Sequence, residues 1–351
     1  MGIKNLHKVL RKYAEEAYQE QNLKVYAFKK VAIDASLYLY KYKAAAGKRW
    51  LSALLNLIMC LRRNDVHCFF VFDGKPPDEK LAEKERRAGA KDKLREKVAS
   101  VEYAIRKYKN SGEIEQVLTD ALKRRRNSPS KIRRLLRNTD RIDIVYLEKY
   151  LERLRNQIIS LTVEDIVKSQ ELLTVLGVPF CTSDTEAETL CSFMALHGLV
   201  DAVMSEDTDV LAYGTPNLLH KVDTARGTCV SLKIEDALSC LSMTMESFRD
   251  MCIMCGTDYN SNIPKIGSIT SYSLITQHGS IDNLPEQYDK SCLNHERVRE
   301  LFTTFAYELP EAPFCGTPDW ANLGTFLFKY QCQHSMDRIK RDLGPREIKL
   351  G

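Results

Sequence analysis

Long apolar runs are missing from this sequence of 351 residues. Nothing in it approaches the roughly 20 consecutive apolar residues that a membrane span needs. The N-terminus MGIKNLHKVL lacks the apolar core of a secretory signal. Histidine is scarce: there are seven, and none stands in an HExxH-type pair, so a helical two-histidine zinc site has no candidate. The eleven cysteines form no ladder of regular spacings, which suits a reducing interior better than a disulfide framework. The one CxxC, Cys252 and Cys255, has no second pair to complete a zinc site and reads as core packing on a helix. Internal repeats and low-complexity tails are absent too. What is left is an ordinary globular chain, 44% apolar and 28% charged, read as soluble and intracellular and long enough for one large domain or two small ones.

The net charge of +5 hides an asymmetry. Residues 79–138 hold 19 Lys and Arg against 9 Asp and Glu, so the remainder is mildly acidic. Within that stretch, residues 123–137 carry eight basic side chains and no acid. A basic block on an acidic body is the footprint of a polyanion binder; a solvated helix face or a nuclear-import-like tract explains the charge equally well.

Short apolar runs alternate with helix-spaced segments. VAID (31–34), HCFFVFD (67–73), VPFC (178–181) and DAVM (201–204) read as buried strands, and helical spacing recurs at Leu6, Val9, Leu10 and at Leu51, Leu54, Leu55, Ile58. That alternation predicts an α/β fold with a mostly parallel central sheet flanked by helices. From residue 79 to about 161 the chain is charged and helix-prone, with breaks at Ser111-Gly112 and Ser128-Pro129. After Thr228–Leu232 the pattern is mostly helical, and the polar end, from His334, is expected to fray.

An acid follows each buried run. Asp34 ends the first and Asp73 the second; Glu186 and Glu188 follow the third, and Asp207 and Asp209 follow the fourth. In an open parallel sheet the site lies beyond the carboxyl ends of the strands, so four strand ends would bring six carboxylates to one edge. So many like charges cannot all ionise unpaired; divalent cations resolve the conflict, and two of them about 4 Å apart suit phosphodiester cleavage. Taken singly, Glu186 could complete a capping box with Ser183, Asp207 could favour a helix N-terminus and Asp73 could be a turn residue. The members of each close pair are two apart, so they can converge only in a loop or a first helical turn.

A second module is written in residues 247–278. An amphipathic helix stops at Gly256, Asp258 follows, then the tight IPKIG, then a helix from about Ser268. A helix–glycine hairpin–helix offers backbone N–H groups and a helix N-terminus to phosphate, and Lys265 adds charge.

The blocks MGIKNL, DASLYLY, FVFDGKPP, DTEAE, EDTDVLAYG and GTDYNSNIPKIG, in that order, resemble the N-terminal, intermediate and helix-hairpin segments of the flap endonuclease (Rad2/XPG) superfamily of structure-specific 5′-nucleases. The similarity spans roughly residues 1–75 and 165–280, and the divergence fits a compact member such as a large DNA virus would carry. The resemblance implies a PIN-like 5′-nuclease fold with a helical arch and a helix-hairpin-helix (H2TH-type) module. It implies an enzyme of DNA replication, repair or recombination that cuts one phosphodiester at a single-strand/double-strand DNA junction, 5′ flaps above all. Asp34, Asp73, Glu186, Glu188, Asp207, Asp209 and Asp258 would hold two Mg²⁺ or Mn²⁺ ions. Lys80, with Lys84 or Arg87, would act on the scissile phosphate. Gly2 and Tyr40 would lie against DNA near the cut, Arg124, Arg125 and Arg126 along the 5′ strand, and Lys265 and Gly267 on the duplex. The family's hairpin holds K⁺; Asn262 stands where a serine is usual, which leaves the carbonyls of Ile263 and Ile266 to serve.

This reading divides the chain into an N-terminal nuclease block (1–78), the arch (79–162), an intermediate block (163–245), the hairpin module (246–280) and a C-terminal region (281–351). The stretch between Asp73 and Glu186 is longer than a plain flap endonuclease needs, and no sliding-clamp box is found near the C-terminus. A monomer with DNA as its partner is expected. The alternatives are a DNA-binding homologue without catalysis and a PIN-type ribonuclease.

Overall fold

The apolar runs form the middle of a seven-stranded sheet. The computed structural model describes residues 2–126, 143–305 and 308–344. In chain order the elements are α1 (Leu6–Tyr13), β1 (Tyr18–Asn22), β2 (Lys30–Asp34), α2 (Ala35–Ala46), α3 (Trp50–Arg63), β3 (His67–Phe72), α4 (Leu81–Ser111), α5 (Gln116–Arg126), α6 (Ile144–Asn156), α7 (Val163–Val175), β4 (Phe180–Thr182), α8 (Ala187–Leu196), β5 (Ala202–Met204), α9 (Asp209–Ala212), β6 (Asn217–Asp223), β7 (Thr228–Lys233), α10 (Ile234–Leu241), α11 (Met245–Cys255), α12 (Ser268–His278), α13 (His295–Thr303), α14 (Trp320–Lys329) and α15 (Met336–Leu343). The strand order is β1-β7-β6-β5-β2-β3-β4. β2 to β6 are parallel, and β7 joins β6 and β1 antiparallel. Among the described residues no helix is long and apolar enough to cross a membrane.

Two compact units divide the described chain: residues 1–42, 48–81 and 161–351, and residues 43–47 and 82–160. The sheet belongs to the first. Its central strands are buried on both faces, so they are written as unbroken apolar runs. Alternate residues separate cleanly. Ala32, Phe69, Val71 and Val203 join a core with α1 and α8–α13. Val31, Ile33, Phe70, Phe72 and Met204 join a core with α2, α3, α7, α14 and α15. The period of two puts these cores on opposite faces.

The C-terminal end departs from expectation. Residues 336–343 do not fray; they form a helix capped by the Ser335 hydroxyl, which accepts from Arg338 N–H at 3.3 Å, and Ile339 is buried in the second core.

The second unit contains most of α4 together with α5 and α6, joined by a small cluster of Val101, Ala104, Ile105, Leu118, Ala121, Leu147, Leu151 and Leu154. α4 ends at Ser111 and Gly112 follows at φ 73°. Along α4 no residue before Val101 is buried. Ion pairs one helical turn apart tie Glu83 to Arg86 and Arg87, Asp92 to Arg95 and Glu102 to Arg106. Pairs this exposed contribute at most about 1 kcal/mol each.

Candidate functional site

Each strand-end acid is held by its local backbone. Asp34, the last residue of β2, accepts the Leu37 N–H at 3.2 Å and so caps α2. Asp73 follows β3 and accepts the Ala187 N–H at 2.8 Å, which makes it the side-chain cap of α8. Glu186 is in extended conformation at the N-cap of α8 without capping it, and Glu188 lies in the first turn. The capping box of Ser183 with Glu186 does not form; the Ser183 hydroxyl takes the Thr185 N–H instead. The exits of β3 and β4 are laced by Gly74 N–H to Thr185 O at 2.6 Å and Lys75 N–H to Asp184 O at 3.1 Å. A Cβ on Gly74 would stand 2.0 Å from the Ser183 carbonyl oxygen, so only glycine permits that approach. Asp207 donates its N–H to the Ser205 hydroxyl, and Asp209 N–H reaches Asp207 Oδ1 at 3.2 Å.

These loops bring the acids together. Asp34, Glu186, Glu188, Asp207, Asp209 and Asp258 are all buried, and Asp73 is exposed. One oxygen each of Glu188, Asp207 and Asp209 lie within 4.8 Å of one another. The Lys80 ammonium bonds Glu186, sits 3.1 Å from Asp258 Oδ2 and 3.9 Å from Glu188 Oε1. The chain's first residues pack on the same acids: Ile3 donates its N–H to Asp209, and a Cβ on Gly2 (φ 83°) would stand 1.8 Å from Asp207 Oδ1. Gly2 thus touches the acids directly.

Burial, then the charge of Asp73, pushes the Asp34 carboxyl up to about 8. Burial likewise raises Glu188, Asp207 and Asp209, with the neighbouring acids adding to Glu188 and Asp209. Burial opposes the Lys80 ammonium, but Glu188, Glu186 and Asp258 outweigh it and hold its pKa above the usual lysine range. Seven carboxylates facing the Lys80 ammonium cannot all ionise without further positive charge, and the raised pKa values of Asp34, Glu188, Asp207 and Asp209 express that conflict. The acids contribute only oxygen donors, which is the chemistry that hard divalent cations select.

The hairpin follows α11. Gly256 turns the chain at φ 89° and Lys265 stands exposed at φ 67°. Exposed Gly267 is the N-cap of α12 and provides no side-chain cap, and a Cβ there would meet nothing within 4 Å. Inside the loop, Asn260 Nδ2 donates to Ile253 O at 2.9 Å, and Asn262 Nδ2 donates to Ile266 O at 2.7 Å and to Ile263 O at 3.4 Å.

The other named residues are spread through the chain. Tyr40 is half-buried on α2. Exposed Lys84, and Arg87, whose Nε donates to Glu83 at 2.7 Å, lie in the second unit. Arg124, Arg125 and Arg126 end α5 by their backbone; their side chains, like the Ser128-Pro129 break, lie outside the described residues.

Sequence reasoning missed the tyrosines. Tyr259 Oη donates to Glu186 Oε2 at 2.7 Å and pairs with Tyr213 Oη at 2.6 Å. Its place beside Asp258 was the one available signal.

Residues 1–94 match the XPG N-terminal domain and residues 177–258 the XPG I-region. A probable RAD2-like endonuclease of Invertebrate iridescent virus 3 is 34% identical over 329 residues, covering 86% of this chain and 85% of that protein. Flap endonuclease 1 of Zea mays is 28% identical, covering 94% of this chain and 82% of that one. Among solved structures, the catalytic core of Rad2 in complex with a DNA substrate superposes with a TM-score of 0.65 at 17% identity, covering 97% of this chain and 99% of that one.

Proposed function

This chain belongs to the Rad2/XPG family of structure-specific nucleases, and from that premise we propose that it cuts one phosphodiester at the junction of single- and double-stranded DNA, at 5′ flaps above all. The observation that carries this reading is the set of all-oxygen acids, six of the seven buried, delivered by four strand ends and the hairpin loop. Asp34, Asp73, Glu186, Glu188, Asp207, Asp209 and Asp258 would hold two divalent cations, Mg²⁺ or Mn²⁺. When bound, these ions stabilise charge on the attacking and leaving oxygens of a phosphodiester hydrolysis.

The chain's own groups do the rest. Tyr259 fixes Glu186, and Ile3 N–H fixes Asp209. Lys80 offers a positive charge at the acids for a phosphate to meet, and Lys84 or Arg87 extends that charge along α4. We take residues 79–162 as a basic arch for the 5′ strand, with Arg124, Arg125 and Arg126 on its phosphates and Tyr40 on a base. Residues 246–280 take the duplex, with α12's open N-terminus and Lys265 facing phosphate.

A panel of labelled flap, nick, gap, bubble and junction DNAs with Mg²⁺, alongside single-stranded RNA, tests the reading. Cleavage at DNA junctions supports it. Binding without cutting identifies an inert homologue, and cutting of RNA alone a PIN-type ribonuclease.

Two expected results arise here. Gly267→Ala should leave the melting temperature unchanged within about 1 °C, because its Cβ meets open space, yet weaken duplex binding about three- to tenfold by blocking close phosphate approach. Lys265→Glu should weaken duplex binding more, with single-strand binding unchanged. Unaltered duplex affinity in both variants would make the hairpin merely structural.

The second concerns pH. In the folded metal-free protein Asp34 titrates near 8, against about 4 in an unfolded chain. Between those values the folded state holds a proton that the unfolded state has lost, so stability falls as pH rises through that window. Saturating Mg²⁺ or Mn²⁺ should remove the fall. Melting curves at pH 5.5 and pH 8, with and without metal, check this; a melting temperature indifferent to both would contradict it.

A further inference from the structure

We propose that the carboxamide of Asn262 takes the place of a monovalent cation in the glycine hairpin, so that this chain binds duplex without one. The inference rests on the duplex-binding reading of residues 246–280. The carbonyls of Ile263 and Ile266 are the groups that would coordinate such an ion, and as they stand they do not fit one. Asn262 Nδ2 donates to Ile266 O at 2.7 Å and reaches Ile263 O at 3.4 Å. An NH₂ group has two hydrogens, one for each carbonyl. The opposite orientation would put Oδ1 at the same distance from a carbonyl oxygen, acceptor against acceptor, so the nitrogen faces inward. A cation bound by the same lone pairs would have to displace this side chain.

The rest of the loop is tied in the same way. Asn260 Nδ2 donates to Ile253 O at 2.9 Å and to Ser261 O at 3.1 Å, while its Oδ1 accepts the Thr257 N–H at 3.2 Å and the Thr257 hydroxyl at 2.7 Å. Ile266 N–H closes the turn on Ile263 O at 3.0 Å. Asn262 is half-buried, and its backbone N lies 3.3 Å from where a Cβ on Gly256 would stand, so the loop holds its main chain in place. Two carboxamides therefore supply the donors that satisfy the turned-in carbonyls, and they do so without charge. The hairpin then attracts phosphate through α12's N-terminal amides and Lys265, whose pull is screened by total ionic strength and not by the identity of the cation.

The test compares K⁺, Li⁺ and tetramethylammonium at one ionic strength. It measures the affinity of the full chain for a plain duplex and its melting temperature without DNA. For the wild-type protein both should be the same in all three salts, with affinities agreeing within about twofold. Asn262→Asp replaces the NH₂ with oxygen and sets a carboxylate against the carbonyls. That variant should bind duplex about tenfold better in K⁺ than in tetramethylammonium, and melt higher in K⁺. Asn262→Ser frees the carbonyls and should acquire the same preference more weakly. A wild-type protein that binds duplex tenfold better in K⁺ than in tetramethylammonium, or melts higher in K⁺, overturns the proposal. So do variants that lose stability yet stay indifferent to the cation, since the amide would then be structural only. If the wild-type protein binds duplex in none of the salts, the duplex reading fails by itself, and the melting temperatures alone decide whether the amide replaces the ion.

Discussion

Asp209→Asn should slow cleavage of a junction substrate by about a thousandfold or more, and it should raise the melting temperature of the metal-free protein. Asp209 is the most buried of the seven acids, at 1% exposure. It accepts the Ile3 N–H and presents an oxygen within 4.8 Å of oxygens of Glu188 and Asp207. Asparagine keeps the volume and the acceptor, so the fold has no reason to change. What it removes is a titrating acid from a cluster in which burial and the charges of Asp207 and Asp258 oppose ionisation of Asp209. Without metal that removal lifts the cost of keeping the buried acid un-ionised; with metal it withdraws a ligand. Stability and activity should therefore move in opposite directions. DNA affinity should stay within about threefold, because the acid faces metal and not DNA. Single-turnover rates, binding titrations and melting curves in EDTA check the three parts. Full activity, or a lower melting temperature in EDTA, would contradict the role given to Asp209.

Gly2→Ala is the second substitution of large effect. Its Cβ would stand 1.8 Å from Asp207 Oδ1 and 2.6 Å from Asp209 Oδ1, and the backbone there is at φ 83°. An alanine either keeps this left-handed backbone, at a cost of about 1–2 kcal/mol, and pushes both carboxylates aside, or leaves it and pulls the N-terminal segment and its contacts away from them. Either response disturbs two of the proposed metal ligands at once. Cleavage should fall about a hundredfold, with divalent cation affinity reduced and duplex affinity little changed. A loss confined to DNA affinity would mean that Gly2 contacts DNA alone. An unimpaired variant would mean that the N-terminal segment is not packed on the acids in the working enzyme.

The central strands were legible because they are buried on both faces, which leaves apolar runs no other reading. β1, with the sequence YQEQN, was invisible: it is a polar edge strand held by main-chain pairing to β7. β6 was missed because its C-terminal half is not buried and the apolar stretch is only Leu218-Leu219. α15 contributes a single apolar anchor, Ile339, too little for a periodicity argument. Within the site, the strand-end rule found six acids with no help from the fold. It could not find the Lys80 ammonium among them, the Tyr259 hydroxyl on Glu186, or the glycine that lets β3 and β4 exit side by side. Each of these is a contact between segments distant in sequence, and no local pattern encodes it.

The most direct test of the whole account is a single-turnover reaction on a 5′-flap duplex labelled on both strands. The protein is first stripped of metal in EDTA, and Mg²⁺ is then added back in excess. The account predicts no cutting in EDTA and, once Mg²⁺ is restored, one incision in the flap strand at the junction, leaving a 5′-phosphate and a 3′-hydroxyl, with Asp209→Asn inert under both conditions. Cutting that persists in EDTA, or that Asp209→Asn carries out at the wild-type rate, would contradict the claim that these acids form a metal centre for phosphodiester hydrolysis.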